Sequence, residues 1–326
     1  MVAGGSYGLG RAIAEAAAQR GARVAIGART HEALDSAAVE LALETDVADR
    51  SQVERLVAAA VERFGRIDTY VANAMVTVYA EAHRLEDAEL RRVFDVNFFG
   101  SVYGYWAAVP YLRESRGTFV QIASALSYRG IPLQAAYCAT KAALRTFLES
   151  ARVELKKEDS GVDVSVILPG AINTPQFDRA RQKIGLQPQP VPPIYQPEPF
   201  ADAVLHCFEH PIRELPLGWG AQRLLWGQKL SPRAGDRALL RNGWKGQETD
   251  QLKPTDSPDN LFEPMPGDPG AHGRFDDRSR EATLWTRIRL NRAWVAGGLG
   301  LATIGLLGGL SGRFSPRDGM SQSGAS

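Results

Sequence analysis

Tyr137 and Lys141 stand four residues apart in the string YCATK. On a helix this spacing stacks both side chains on one face, with about 5–6 Å between Cβ atoms. A cation fixed beside a phenol stabilises the phenolate and draws down a pKa that starts at about 10. Such a pair suits general acid–base work at neutral pH, although Tyr and Lys at this spacing also decorate solvated helix faces. A second feature opens the chain: in MVAGGSYGLGRAIAEAAAQRG, Gly4, Gly8 and Gly10 lead straight into an Ala-rich helix. Glycines there permit a tight turn and close backbone approach. A pyrophosphate can then rest on the free amides of the helix N-terminus, with Ser6, Tyr7 and Leu9 completing the loop.

The residues after the next strands bear on which phosphate compound is bound. In VAIGART, Ala28 lacks the carboxylate that would bind adenosine ribose hydroxyls, and Arg29 supplies a cation suited to a 2′-phosphate. This points to NADP(H), the plainer reading being an arginine at a helix start. Asp46 in ETDVAD is placed to accept from an adenine amino group with Val47 packing nearby, or to cap a helix. Asn73 and Ala74 follow the fourth strand, where side-chain amide and backbone would hold the ribose side of a cofactor.

These groups need a scaffold. Apolar, β-rich runs (RVAIGA, IDTYVANA, TFVQIAS and DVSVILP) alternate with longer segments of helical period up to about residue 170. That alternation predicts βαβ units and a parallel, doubly wound α/β sheet of the Rossmann type, covered on both faces. The first strand has only MVA, so either the natural chain starts upstream or this strand is abnormally short. A proline-rich stretch at 175–200 reads as a lid. A helix in PFADAVLHCFEHP and a strand in ELPLGWG would complete a catalytic domain over 1–244. Residues 245–283 are polar, rich in Pro and Gly and without periodicity, and predict a flexible linker. The tail, 284–326, contains an apolar segment.

The bulk properties exclude some classes. A chain of 326 residues with 44% hydrophobic content can bury a large core. Lys and Arg number 38 against 37 Asp and Glu, a net charge of +1 without a long basic run, so no nucleic-acid partner is expected. Cys138 and Cys207 form neither a metal-ligand pattern nor a disulfide framework. That, with no visible secretory signal, fits a reducing cytoplasm.

Ser124 ends the TFVQIAS run thirteen residues before Tyr137, and Asn97 in VFDVNFFG lies forty before it. Taken with Gly4-x-x-x-Gly8-x-Gly10, these residues resemble the short-chain dehydrogenase/reductase family, specifically its larger classical branch, over roughly residues 1–220. The resemblance implies roles. Tyr137 would protonate a carbonyl oxygen as hydride arrives from nicotinamide, or deprotonate the alcohol in reverse. Ser124 would polarise that oxygen, Lys141 would lower the tyrosine pKa and hold the nicotinamide ribose, and Asn97 would anchor a water in the proton relay. PGAINTP, from Pro169 and Gly170 onward, resembles the segment after the sixth strand, with Ile172 and Thr174 contacting carboxamide and pyrophosphate. The implied activity is hydride transfer between NADP(H) and a carbonyl or secondary alcohol. The alternative is a noncatalytic, membrane-associated NADP(H)-binding scaffold or regulator.

Ala3 stands where the family usually has Thr, and Met75 replaces the glycine of its Asn-Ala-Gly. The common glycine-rich C-terminal ending is also replaced, so the resemblance suggests a homodimer through two long helices, about 85–113 and 134–158, rather than a tetramer. A lipophilic substrate is suggested by the apolar lid and by tryptophans near the C-terminus. Residues 293–311, AWVAGGLGLATIGLLGGLS, form nineteen positions without a charge. As a helix they would span about 28 Å, near the thickness of a bilayer core, flanked by Arg287, Arg289 and Arg292 before and Arg313 and Arg317 after. That reads as a membrane anchor leaving the enzyme in the cytoplasm; six glycines argue against it.

Overall fold

The computed structural model describes residues 1–281 of the chain. Its centre is a parallel sheet whose strands are short apolar runs: Val2–Ala3 (β1), Ala25–Ala28 (β2), Leu41–Glu44 (β3), Thr69–Ala72 (β4), Thr118–Ile122 (β5), Asp163–Pro169 (β6) and Glu214–Leu217 (β7). Ile26, Val71, Phe119, Val120, Ile167 and Leu168 are all solvent-free. Such continuous burial, rather than an alternation, is what helices on both faces impose on a sheet.

The strand order is β7-β6-β5-β4-β1-β2-β3. The chain starts in the middle, runs outward to β3, then returns to place β4 on the other side of β1, so Val2 pairs with both Ile26 and Val71. The order reverses between β1 and β4, and the crevice beyond their carboxyl ends is where an open α/β sheet binds ligands. β1 covers Val2–Ala3 in this chain, and Val71 N donates to Met1 O beside it.

Gly8–Gln19 (α1) and Glu198–Glu209 (α6) pack together in one helical layer. The other layer contains Arg50–Phe64 (α2), Asp87–Phe94 (α3), Gly100–Ser115 (α4) and Ala135–Lys157 (α5). Asp49 caps α2 by accepting from Ser51 N at 2.8 Å. Between α3 and α4 the chain forms a π-helical turn, Asp95–Phe99, where the sequence suggested plain helix. Trp219–Leu230 (α7) and Pro232–Asn242 (α8) follow β7.

Residues 245–281 correct the expectation of a flexible linker. Glu248–Leu252 pairs antiparallel with Leu186–Pro188 of the lid, and Ser279–Arg280 pairs with Ile194–Tyr195, which in turn pairs with Ala171–Ile172. Leu261 is solvent-free in the main core, and Phe275 packs edge-on against Phe177 with centroids 5.8 Å apart. No periodicity announced this because the segment docks through single anchors and backbone hydrogen bonds, not through one continuous apolar face. The apolar stretch 293–311 lies outside the described residues; among those described, no helix is long and apolar enough to cross a membrane.

Leu261→Ala should therefore lower unfolding stability by about 2–4 kcal/mol, the range for truncating a buried leucine. Urea denaturation would show it as a lower midpoint, whereas a leucine in a solvated linker would leave the midpoint unchanged.

Candidate active site

The loop from β1 into α1 lies at the switch point, and its shape depends on missing side chains. Gly4 has φ +82°, and a Cβ there would fall 2.5 Å from Ala74 Cα; one on Gly10 would fall 2.0 Å from Gly4 O. Only glycine fits either position. The Asn73 amide donates to Gly4 O at 2.7 Å, and Ala74 N donates to Ala3 O at 2.9 Å. Asn73 and Ala74 thus tie the end of β4 to the loop. No side chain caps α1, so its first amides face the crevice, where Gly8 N donates to Gly270 O at 3.0 Å.

One cleft runs from this loop across the carboxyl edge of the sheet. It is lined by Gly4, Ser6, Tyr7, Gly8 and Leu9, by Arg29, Asp46 and Val47, and by Asn73 and Ala74. Ser124, Tyr137, Lys141, Pro169, Gly170, Ile172 and Thr174 line the same cleft. Gly10 supports the wall from behind, and Asn97 lies just outside.

Ser124 caps the turn after β5, its Oγ accepting from Leu126 N at 3.1 Å. Tyr137 and Lys141 project from the first turns of α5, with Lys141 Nζ 5.6 Å from the Tyr137 ring centre. Lys141 is 1% exposed and donates to Ile122 O at 2.9 Å. Burial pulls its ammonium down to about 7. The same enclosure pushes the Tyr137 phenol well above its ordinary value, with a Ser124 hydrogen bond opposing the shift. Desolvation, which disfavours both charged forms, dominates both groups, and the expected lowering of Tyr137 by Lys141 is not seen.

Other sequence-derived residues are brought to the cleft but are already engaged. Asn97 is fully buried in the π-turn. Its Oδ1 accepts from Val76 N at 2.8 Å, and its Nδ2 donates to Val76 O at 3.0 Å and Thr140 Oγ1 at 3.3 Å. Its side chain clamps the loop after β4. Asp46 pairs with Arg92 at 2.6 Å and accepts from Ala48 N at 3.0 Å. The Arg29 guanidinium donates to the carbonyls of Phe262, at 2.9 Å, and Asn260; a carbonyl orients that cation without cancelling its charge. Sequence reasoning missed Tyr79, Gln134, Arg179, Asn260 and Met265, which line the same cleft. Only Tyr79, at the end of a short apolar run, carried a local signal.

The lysine gives a pH test. Unfolded, Lys141 holds its proton up to about 10.5; folded, it releases it near 7. Between those values the unfolded chain binds more protons, so this residue makes stability rise with pH, by at most about 1.4 kcal/mol per pH unit. Below 7 its full burial cost is present. Wild-type unfolding free energy should therefore climb relative to Lys141→Met between pH 7.5 and 9.5; parallel curves would contradict the depressed lysine.

Comparison with known proteins agrees with this geometry. A family model described as short chain dehydrogenase matches residues 1–185. The uncharacterized oxidoreductase YxnA of Bacillus subtilis (strain 168) is 35% identical over 262 residues, 77% of this chain and 74% of that protein. The 11-beta-hydroxysteroid dehydrogenase 1A of Arabidopsis thaliana is 35% identical over 185 residues, and the chain spans about half of its length (52%). A short chain dehydrogenase from Burkholderia cenocepacia J2315, solved in complex with NADP, superimposes with TM-score 0.63 at 29% identity over 73% of this chain and 95% of that one. The seven-stranded parallel sheet, the glycine loop at its switch point and the matched sequence have one conclusion: the chain belongs to the short-chain dehydrogenase/reductase family.

Proposed function

We propose that the protein transfers hydride between NADP(H) and a carbonyl or secondary alcohol, with Tyr137 as the general acid or base. The observation that carries this reading is the convergence of Ser124, Tyr137 and Lys141 in one cleft with the glycine loop. The cleft runs without a break from the glycine loop to Ser124 and Tyr137, as joint occupancy by a dinucleotide and a substrate requires. The residues fit the cofactor: a helix start without a side-chain cap and a cradle closed to any Cβ suit a pyrophosphate, and Arg29 suits a 2′-phosphate. The Burkholderia cenocepacia relative solved with NADP adds support.

When bound, the nicotinamide ring supplies or accepts the hydride. Tyr137 is protonated at neutral pH, as any phenol is, and it gives that proton to the carbonyl oxygen in the reductive direction. Ser124 donates a hydrogen bond to the same oxygen and polarises it. Lys141 holds the ribose with the protons not used on Ile122 O, and Asn97 positions the loop at Val76. The family's acid–base chemistry thus falls to side chains fixed on β5 and α5.

Leu126, Ile131, Val191 and Leu224 give the cleft an apolar end, which supports a lipophilic substrate. The plant relatives are named as hydroxysteroid dehydrogenases, in keeping with that class. Exposed Phe99 and Trp106 on the π-turn and α4, with Val153 on α5, support a homodimer through these helices. A carbonyl panel assayed with NADPH and with NADH tests the reading.

Tyr137→Phe should cut turnover by about 10²–10⁴-fold, the usual worth of acid–base assistance, with cofactor affinity nearly unchanged. Retention of more than a tenth of wild-type turnover would remove Tyr137 from this role. Arg29→Ala should weaken NADPH by about 10- to 100-fold through loss of charge-assisted hydrogen bonds, and NADH much less; equal losses in titrations of both would make Arg29 a structural residue.

A further inference from the structure

Residues 259–275 lie beyond the part matched by the family model, yet they are held across the adenosine end of the cleft. Two of the groups assigned to the cofactor touch them directly. Arg29 donates to Phe262 O and Asn260 O, and Gly8 N donates to Gly270 O. Arg179, from the lid, donates to Met265 O at 2.9 Å and Pro266 O at 3.0 Å. Both ends of the strap are pinned outside the cleft. Asp259 pairs with Arg181 at 2.8 Å next to buried Leu261, while Asp268 pairs with Arg11 at 2.8 Å and accepts from Ser36 Oγ at 2.6 Å.

Between these pins Asn260, Pro264 and Met265 form part of the cleft lining. Asn260 is 5% exposed. Its Nδ2 donates to Tyr7 Oη at 2.9 Å, while its Oδ1 is buried without a hydrogen-bond partner among the described residues. A buried acceptor in that state costs stability unless something donates to it, and Asn260 is part of a cleft wall.

We propose that this strap is the outer wall of the adenosine site. Asn260 Oδ1 accepts a hydrogen bond from a donor on the adenosine moiety, either the adenine amino group or a ribose hydroxyl. The cofactor then leaves only when the strap lifts. The inference rests on the dinucleotide reading above, and it adds a binding residue and a release step that the glycine-loop fold alone does not supply. Because Asp259 and Asp268 pin the strap without lining the cleft, they separate strap closure from direct contact.

The test uses the full chain and two variants, Asn260→Ala and the double variant Asp259→Ala with Asp268→Ala, each checked for an intact fold by circular dichroism. Stopped-flow release of NADPH, chased with excess NADP⁺, should be about tenfold or more faster in the double variant. Asn260→Ala should weaken NADPH and the half-cofactor adenosine 2′,5′-bisphosphate by the same factor, about 5- to 10-fold for one lost hydrogen bond. Wild type binding NADPH while the double variant releases it at an unchanged rate would overturn the strap alone. So would tighter binding on loosening, which would make the strap a competitor. An unchanged affinity of Asn260→Ala for the half-cofactor would overturn the contact, and failure of wild type to bind either NADPH or NADH would overturn strap and cofactor reading together.

Discussion

The site depends on a backbone approach too close for side chains. With Gly10 packed onto the Gly4 carbonyl and Gly4 onto Ala74, the turn between β1 and α1 closes within the width of a peptide, and α1 starts directly over the sheet edge. Asn73 then locks the turn to β4 through Gly4 O. The crevice between β1 and β4 would exist in any doubly wound sheet of this order. Its use as a dinucleotide cradle comes from the amides that this turn exposes.

Ser124, Tyr137 and Lys141 sit under a second constraint, the loss of water around Lys141, which is 1% exposed. Lys141 has Ile122 O as its hydrogen-bond acceptor, and Tyr137 shares a hydrogen bond with Ser124. In such surroundings the neutral forms are favoured, so the phenol is pushed up and the ammonium is pulled down to about 7. Asn97 contributes one step further out, by fixing the Val76 backbone through both atoms of its amide. The π-turn that carries it shifts the residue out of ordinary helical register, a distortion common beside functional sites.

The third determinant is chain that does not belong to the sheet at all. The lid at 175–200 and residues 245–281 pair with each other through Leu186–Pro188 and Glu248–Leu252, and together wall the cleft above the strand ends. Arg179 is the clearest join, reaching from the lid to Met265 O and Pro266 O while its guanidinium sits 5.6 Å from the Tyr7 ring. A cofactor cleft built only from the βαβ units would be open on this side.

Much of the scaffold was legible because its signals are local. Buried strands in a parallel sheet must be apolar runs, helices between them must keep a 3.6-residue period, and a turn closed to Cβ atoms must be glycine. Tyr137, Lys141 and Ser124 were legible for the same reason, since one helical turn and one strand end fix their spacing. The strap was not legible. Asn260, Met265 and Gly270 act through carbonyls and a single amide, which any sequence rich in Pro, Gly and Asp could present, and their partners Arg29, Arg179 and Gly8 lie far away along the chain. The lowering of Tyr137 expected from Lys141 is reversed in the structure, because four-residue spacing brings the two groups together but does not say how much water remains around them. By itself the sequence determined the sheet, the glycine loop and the spacing of Ser124, Tyr137 and Lys141, through short-range sterics and periodicity. Tertiary structure alone decided the solvation of those residues and the closure of the cleft, because both depend on which distant segments pack over the site.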